Sequence, residues 1–475
     1  MMKISRNFLS LFISDGITRL IGFAATVYIA RLLAVEGFGL ISYGVAFISY
    51  ALLFANPGLT VIGAREVAKA PQDRRFIEET LGLRLMLTIV IFTIFFVGTR
   101  FIPGENTTRQ IILVYALALF PFAILLEFVF QGREEMQYIG VGRILQSGVY
   151  LALLVLFLKG ARDILVVPIS FVIGYVISTL FLIVIFLKRY GSLRLRFSFS
   201  QWRMILTAAI PVGLAIIFNQ VTISLPPIVL GIFETSYEVG IFSAGYKIVF
   251  MLLIIERVFY YVFFPILSKQ HVQNPEKLKG NFNLLTRFLF ALTIPLAIGG
   301  LILAPRLINL IYGHAFHGAI NVFRILLLYF IIVPINTVFG YGLVAIDQER
   351  RFFKVISITA LLNTVLIVLL GLRFSVYGAA TALCISELAS IVLMKRELRK
   401  FVRFRALGFV FKPLLASLFM AAGLVLLLQW NLIILMLTGV IVYVAILYVI
   451  QGFTRYDVAN IKQIFAKKSS DRTKK

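Results

Sequence analysis

The chain has 475 residues, of which 60% are hydrophobic, and its mean hydropathy is +0.98. Soluble domains contain about 45 to 50% apolar residues, so this composition excludes a soluble globular protein and indicates that lipid surrounds most of the chain. The formal net charge is +25, but the basic residues lie between apolar runs, which favours contact with anionic lipid headgroups over binding of nucleic acid.

Apolar runs long enough to cross a bilayer as helices follow one another along the whole chain. We predict fourteen of them, near residues 8–33, 38–64, 80–98, 110–131, 139–158, 163–187, 204–230, 238–265, 284–304, 318–346, 352–371, 375–394, 408–428 and 431–450. The first run resembles a signal peptide, but Asp15 and Arg19 interrupt it and the apolar character continues to Leu33, so we expect it to remain as a helix. The sequence therefore predicts an all-α polytopic membrane protein.

The first two helices are predicted to join through a short turn, Glu36-Gly37-Phe38-Gly39, because its glycines allow a tight reversal. Arg31 and Arg65 would then reach the lipid headgroups from the helix ends. Lys and Arg residues are unequally divided between the two sides: with the N-terminus inside, 32 fall in inner segments and 6 in outer loops. By the positive-inside rule, this predicts a multi-pass protein of the cytoplasmic membrane with both termini in the cytoplasm.

The longest polar connections follow the sixth and twelfth helices, and they divide the chain. The predicted parts are an N-terminal six-helix lobe at 1–190, a C-terminal six-helix lobe at 200–400, a final helix pair at 408–450 and a basic cytoplasmic tail at 451–475. An internal repeat supports the two lobes, since residues 38–44 (FGLISYG) align with residues 239–245 (VGIFSAG) at an offset of 201. Both segments begin an even-numbered helix, which predicts a parallel repeat and a pseudo-twofold arrangement.

Charged residues within the predicted helices are the candidate functional residues, because a charge at the bilayer centre costs about 2.5 to 3.5 kcal/mol on insertion scales. Asp15 and Arg19 are four residues apart, so they share one face of helix 1. They either face the lumen or form an ion pair with no substrate role. On helix 8, Lys247 and Glu256 lie on opposite faces, so both cannot line one cavity.

Three cations are predicted to bind substrate: Arg19, Lys247 and Arg257. A site with this balance suits a pyrophosphate or an acidic sugar, which arginine can bind with two parallel hydrogen bonds. Three acids are predicted to pair in the lumen or to couple transport to protons: Asp15, Glu256 and Glu387. Proton or sodium coupling is left open, because no sodium site can be recognised.

Four further charged residues lie near the ends of predicted helices, where long side chains usually extend to the membrane surface; they are Arg84, Glu127, Arg143 and Arg287. We predict no catalytic residue, no metal site and no cofactor. Cys384 is the only cysteine, and His314 and His317 lack a nearby acidic or cysteine ligand. A membrane enzyme of glycan assembly would need a catalytic cluster in an outer loop, and no loop carries one.

Several short motifs resemble those of polysaccharide repeat-unit flippases of the O-antigen type, in the superfamily that includes lipid II flippases and multidrug exporters. At the N-terminus the motifs are Tyr28-Ile29-Ala30-Arg31-Leu32-Leu33, Phe38-Gly39 and Ala64-Arg65-Glu66. Further along they are Phe130-Gln131-Gly132, Val239-Gly240-Ile241-Phe242-Ser243-Ala244-Gly245-Tyr246, Phe264-Pro265-Ile266-Leu267-Ser268 and Tyr377-Gly378-Ala379-Ala380-Thr381-Ala382.

This resemblance implies a flippase that moves a polyprenyl-pyrophosphate-linked oligosaccharide by alternating access of two lobes around a cationic cavity. Its partners would be that lipid-linked substrate, membrane lipids and enzymes of polysaccharide assembly. A lipid II or multidrug exporter of the same superfamily is the alternative and would differ in lumen charge and ligand. The chain departs from the family where helix 7 often has an Asp, near Thr222 to Ser224. There, Pro226 and Pro227 are predicted to kink or break the helix.

Overall fold

The computed structural model describes residues 2–102, 105–255, 264, 267–271, 275–402 and 407–452. In these ranges every regular element is helical, which confirms the predicted all-α fold. The α-helices are α1 (Met2–Ala55), α2 (Leu59–Lys69), α3 (Arg74–Gly98), α4 (Asn106–Ala116), α5 (Leu119–Ala123), α6 (Glu127–Gly132), α7 (Met136–Phe157), α8 (Val166–Tyr190), α9 (Phe199–Phe233), α10 (Ser236–Leu252), α11 (Pro275–Ile311), α12 (Ala319–Ala345), α13 (Glu349–Leu398), α14 (Phe411–Leu426) and α15 (Leu432–Val449).

Ten helical segments within the described ranges are long and apolar enough to span a membrane, and one of them, Asn106–Gly132, consists of α4, α5 and α6 together. Two of them are double, because α1 is interrupted at Ala34 and α13 at Ser375. The helices α10 and α14 add two apolar segments of 17 and 16 residues. When each double helix is counted as two spans, the described part of the chain contains about fourteen apolar helical segments, which agrees with the prediction. This is a polytopic membrane protein.

The two interruptions place a residue other than glycine at positive φ, which is 54° for Ala34 and 50° for Ser375. The predicted turn at Glu36–Gly39 is therefore wrong in position, because the break lies at Ala34 and residues 36–39 are helical. Gly39 serves close packing instead of a turn. A Cβ atom there would overlap the carbonyl oxygen of Ser236.

The two repeated segments meet through their glycines. A Cβ atom on Gly39 in α1 would overlap the carbonyl oxygen of Ser236 in α10, and one on Gly240 would overlap the carbonyl oxygen of Val35. Ser236 precedes Gly240 by four residues, and Val35 precedes Gly39 by four residues. Each glycine thus packs against the same position of the other segment, so the contact is reciprocal.

The helix α9 continues without interruption from Phe199 to Phe233, although it contains Pro211, Pro226 and Pro227. The predicted break at the last two prolines is therefore absent. A proline removes one backbone hydrogen bond, but membrane helices tolerate this where neighbouring groups satisfy the freed carbonyl. Both Pro226 and Pro227 are buried, so packing surrounds this part of the helix.

The chain divides into two compact units. The first contains the described residues of Met1–Ser243, Ile311–Phe316 and Thr364–Ala379, and the second contains those of Ala244–Leu310, His317–Asn363 and Ala380–Lys475. Buried Ile77, Phe128 and Phe186 belong to one core cluster of the first unit. Buried Phe282 and Phe339 belong to one of the second. The lobe boundaries at residues 190, 200 and 400, the separate pair at 408–450 and the tail at 451–475 stay predictions.

The connection between α8 and α9, residues 191–198, lies against α3. The buried carboxylate of Glu78 accepts hydrogen bonds from the backbone N–H of Arg194 (3.0 Å) and from Nε of Arg196 (2.7 Å). The indole Nε1 of Trp202, in the first turn of α9, donates to the carbonyl oxygen of Glu79 (3.0 Å). A long polar connection is thus held in place by one acidic residue.

Replacing Glu78 with alanine should release this connection, because the backbone N–H of Arg194 and the side chain of Arg196 both lose their acceptor. We expect trypsin to cleave the purified variant after Arg194 or Arg196 at least several times faster than it cleaves the wild type. Glu66→Ala is the matched control, since the described partners of Glu66 are Arg65 and Lys69 of its own helix. Equal cleavage of all three proteins would contradict the role of Glu78.

Candidate functional site

The fourth predicted span is divided into α4, α5 and α6, and Arg84 of α3 stabilises the gap between the last two. Its Nη2 donates to the carbonyl oxygen of Phe122 (2.7 Å) and its Nη1 to that of Leu125 (2.9 Å). The guanidinium also lies over the rings of Phe122 and Phe128, with Cζ 5.2 and 5.6 Å from the ring centroids. Arg84 is only 2% exposed, so the prediction that it extends to the membrane surface is wrong.

The gap between α5 and α6 makes Glu127 the first residue of α6. Its carboxylate accepts two hydrogen bonds from Arg143 of α7, one from Nε (2.9 Å) and one from Nη2 (2.8 Å). Such a bidentate ion pair is strong and fixes the orientation of both groups. The Glu127 side chain is 18% exposed and that of Arg143 is 41% exposed. The carboxylate holds Arg143 in place, contrary to the expectation that both residues simply extend to the membrane surface.

Asp15 and Arg19 form the intrahelical pair that their spacing allowed, with Nε of Arg19 2.9 Å from Oδ2 of Asp15. Their side chains are 50% and 27% exposed. The helices α1 and α7 pack against each other, and Asp15 of α1 lies within electrostatic range of Arg143 of α7. These four residues, Asp15, Arg19, Glu127 and Arg143, therefore form one group in the first unit, which we call the four-charge cluster.

Two polar residues adjoin the four-charge cluster where α7 and α8 approach closely. A Cβ atom on Gly174 of α8 would lie only 2.8 Å from the carbonyl oxygen of Gln146 in α7, so glycine permits the approach. Tyr175 follows Gly174 in the chain, so this approach places it near Gln146. Tyr175 is also within electrostatic range of Glu127 and Arg143.

Tyr175 belongs to a row of four aromatic rings. This aromatic row consists, in order, of Phe122, Tyr175, Phe171 and Tyr150. Successive ring centroids are 6.1, 5.0 and 6.2 Å apart. The planes of each pair are steeply inclined, as expected for edge-to-face packing of aromatic side chains. All four residues are partly buried in the first unit.

A second polar group lies in the second unit, where α12 and α13 pack together. Oε1 of Glu387 accepts a hydrogen bond from Nδ2 of Asn336 (2.6 Å), and Oδ1 of Asn336 accepts one from the hydroxyl of Ser390 (3.1 Å). Nearby on α13, the buried hydroxyl of Ser386 donates to Oδ1 of Asn363 (3.0 Å). Glu387 is thus held by an amide. No group of three His, Cys, Asp or Glu side chains suited to a metal ion occurs among the described residues.

The structure places the predicted residues in different parts of the chain. Asp15 and Arg19 belong to the first unit, while Lys247, partly buried in α10, and Glu387 belong to the second. Glu256 and Arg257 lie outside the described residues. The roles assigned to all six stay predictions.

The sequence prediction missed Glu127, Arg143 and Asn336 as candidates. All three could have been recognised in the sequence as polar residues within apolar helices. Glu127 and Arg143 also carry opposite charges on adjacent predicted helices.

Comparisons with known proteins support the resemblance noted in the sequence. A "Putative O-antigen transporter" of Escherichia coli (strain K12) is 22% identical over 408 residues, which cover 83% of this chain and 96% of that protein. A "Probable low-salt glycan biosynthesis flippase" of Haloferax volcanii is 26% identical over 176 residues, 37% of each chain.

Solved structures share the fold at low sequence identity. The lipid II flippase MurJ, in an inward closed conformation, matches with a TM-score of 0.79 and 14% identity over 93% of this chain and 98% of that one. An inward-facing multidrug resistance MATE family transporter matches with a TM-score of 0.63 and 15% identity, over 81% of this chain and 96% of that one. The family model for "Polysaccharide biosynthesis protein" matches residues 4–271, more than half of the sequence. The chain therefore belongs to the polysaccharide biosynthesis protein family.

Proposed function

We propose that this protein is a flippase that moves polyprenyl-pyrophosphate-linked oligosaccharides, the repeat units of a polysaccharide, across the cytoplasmic membrane by alternating access. The observation that carries the proposal is the four-charge cluster, because four ionisable side chains are kept within membrane-spanning helices. Such residues are costly there and usually serve a substrate or ion pathway. The similarity to an O-antigen transporter over 96% of that protein supports the class of substrate.

In this proposal, Arg19, Lys247 and Arg257 bind the charged and polar parts of the substrate. Asp15, Glu256 and Glu387 pair with these cations or couple transport to protons or sodium ions. The excess of Lys and Arg in the inner segments supports a cytoplasmic location of both termini. Membrane lipids and enzymes that assemble the polysaccharide are the expected partners.

The fold does not distinguish this proposal from its alternatives within the superfamily, since lipid II and multidrug transporters both share it. The arginines of the four-charge cluster favour a substrate with anionic or hydroxyl groups over an organic cation. A membrane enzyme of glycan assembly is disfavoured, because the relatives are named as a transporter and a flippase.

The deciding experiment measures transbilayer movement of an undecaprenyl-pyrophosphate-linked oligosaccharide in vesicles that contain the purified protein. Oxidation of the sugar by external periodate reports on arrival at the outer leaflet. We expect movement in the wild type and a loss of about tenfold or more in Arg19→Ala, because a hydrogen bond to a charged group contributes about 1.5 to 3 kcal/mol.

Arg100→Ala is the matched control, since Arg100 is exposed at a helix end and lies over the ring of Phe96 at 5.9 Å. We expect its rate to equal that of the wild type. Efflux of small organic cations without movement of any saccharide lipid would refute the proposed function and leave a multidrug exporter. Equal rates of lipid movement in the wild type and Arg19→Ala would mean that Arg19 does not bind the substrate.

A further inference from the structure

The four-charge cluster has no net formal charge, because its two arginines are matched by two carboxylates. Arg84 is a third cation within electrostatic range of Glu127. It is buried, however, and both of its Nη atoms donate to backbone carbonyls. The cluster therefore offers no excess positive charge to a pyrophosphate, although a pyrophosphate is bound best by unmatched cations.

The pairing leaves hydrogen-bonding atoms of both kinds without a partner among the described residues. Arg143 binds Glu127 through Nε and Nη2, so its Nη1 remains, and Arg19 binds Asp15 through Nε alone, so both of its Nη atoms remain. Oδ1 of Asp15 remains as an acceptor. The ion pairs fix the direction of these atoms, and the side chains that carry them are partly exposed.

A sugar hydroxyl donates one hydrogen bond and accepts others. Neighbouring hydroxyls of a sugar can therefore bind to a group of side chains that offers both donors and acceptors, as the four-charge cluster does. Gln146 adds a further donor and acceptor beside the cluster. The C–H faces of sugar rings pack against aromatic rings, whose faces carry partial negative charge. Tyr175, the second ring of the aromatic row, lies near Gln146 where Gly174 brings α7 and α8 together, and it is within electrostatic range of Glu127 and Arg143.

We propose that the four-charge cluster, together with Gln146, Tyr175 and the aromatic row, is a binding subsite for the uncharged sugar residues of the lipid-linked oligosaccharide. This proposal rests on the proposed function and makes it more specific. Arg19 and Arg143 then recognise hydroxyl groups, and the pyrophosphate is bound by cations outside the cluster. Selectivity for the saccharide and affinity for the lipid pyrophosphate therefore reside in different residues.

The test uses vesicles with the purified full chain and an undecaprenyl-pyrophosphate-linked oligosaccharide composed of uncharged sugars. Two soluble or dispersed inhibitors are compared: the same oligosaccharide released by mild acid, and undecaprenyl pyrophosphate without sugar. The variant is Gln146→Leu/Tyr175→Phe, which keeps all four charges and the aromatic ring. We expect its inhibition constant for the released oligosaccharide to rise by about tenfold, with that for undecaprenyl pyrophosphate unchanged.

Arg143→Lys is a second variant, because lysine keeps the charge but cannot form the bidentate pair with Glu127. We expect its inhibition constant for the released oligosaccharide to rise by a similar factor, with that for undecaprenyl pyrophosphate unchanged. Glu135→Gln is the control, because Glu135 forms an ion pair with Arg189 (2.8 Å) in the same unit but outside the cluster. The inhibition constants of Glu135→Gln for both inhibitors should equal those of the wild type.

Three outcomes would count against these ideas in different ways. If the wild type moves the lipid but the released oligosaccharide does not inhibit it, the subsite is refuted and the proposed function stands. A parallel loss of inhibition by both compounds in the variants would assign the cluster to the pyrophosphate and also refute the subsite. If the wild type moves no saccharide lipid at all, the proposed function itself fails.

Discussion

Replacement of Arg84 by leucine is expected to lower the stability of the first unit severely. At the gap between α5 and α6, the carbonyl oxygen of Leu125 would lose its bond from Arg84, and that of Phe122 would keep only the bond from the N–H of Leu125 (3.3 Å). A hydrogen bond to a charged group contributes about 1.5 to 3 kcal/mol, so losing both bonds from Arg84 should cost about 3 to 6 kcal/mol. The contacts with the rings of Phe122 and Phe128 would be lost as well. The loss of stability is measured as a lower midpoint temperature of unfolding, determined by size-exclusion chromatography of heated protein.

Two comparisons make this result specific. Arg84→Lys keeps the charge but cannot reach both carbonyls with a planar group, so we expect an intermediate midpoint. Arg100→Leu removes an exposed arginine whose described contact is with a single ring, and it should change stability by no more than about 1 kcal/mol. If Arg84→Leu unfolded at the wild-type temperature, the gap between α5 and α6 would not depend on Arg84.

Replacement of Gly39 by alanine should impair both folding and transport, although it adds a single methyl group. The new Cβ atom would overlap the carbonyl oxygen of Ser236, whereas ordinary van der Waals contact begins near 3.4 Å. The overlapping atom belongs to the backbone, so the helices α1 and α10 must move apart. Overpacking of this kind costs about 1 to 3 kcal/mol. We expect a lower unfolding temperature and a rate of lipid movement reduced by about tenfold or more.

The matched control adds the same methyl group where there is room for it. A Cβ atom on Gly423 in α14 would meet no other atom within 4 Å. Gly423→Ala should therefore leave transport unchanged and raise stability by about 0.5 to 1 kcal/mol, since alanine favours a helix more than glycine does. Equal behaviour of the two variants would mean that the contact at Gly39 has no steric importance.

The fold could be predicted because hydrophobicity alone determines which segments can enter a bilayer. Within the described ranges, every predicted run overlaps one or more helices, and the family resemblance carried by Phe38-Gly39 and similar short motifs is confirmed by the family model. Local backbone geometry was harder to predict. Glycines at 37 and 39 suggested a turn, yet Ala34 takes the unusual conformation, and Gly39 packs against α10 instead.

The candidate site could be predicted only in part, because most of its contacts join distant segments. Asp15 and Arg19 are four residues apart, so helical spacing alone predicts their pairing. Arg143 and Glu127 pair across 16 residues, next to the point where the chain leaves helical geometry between Ala123 and Glu127, and no glycine in that stretch marks the gap. Position near a helix end suggested surface exposure for Arg84, whereas tertiary packing buries it.

The reciprocal packing of Gly39 and Gly240 has an evolutionary consequence. Two identical chains related by a twofold axis form such isologous contacts, in which each partner presents the same position to the other. A gene duplicated and fused from a homodimer would leave this geometry inside one polypeptide. At the same offset of 201, Asp15 and Arg19 correspond to Ile216 and Gln220. The steric contact is therefore the same in both segments, whereas the charges of Asp15 and Arg19 have no counterpart at Ile216 and Gln220, so the twofold correspondence stops where substrate recognition is proposed.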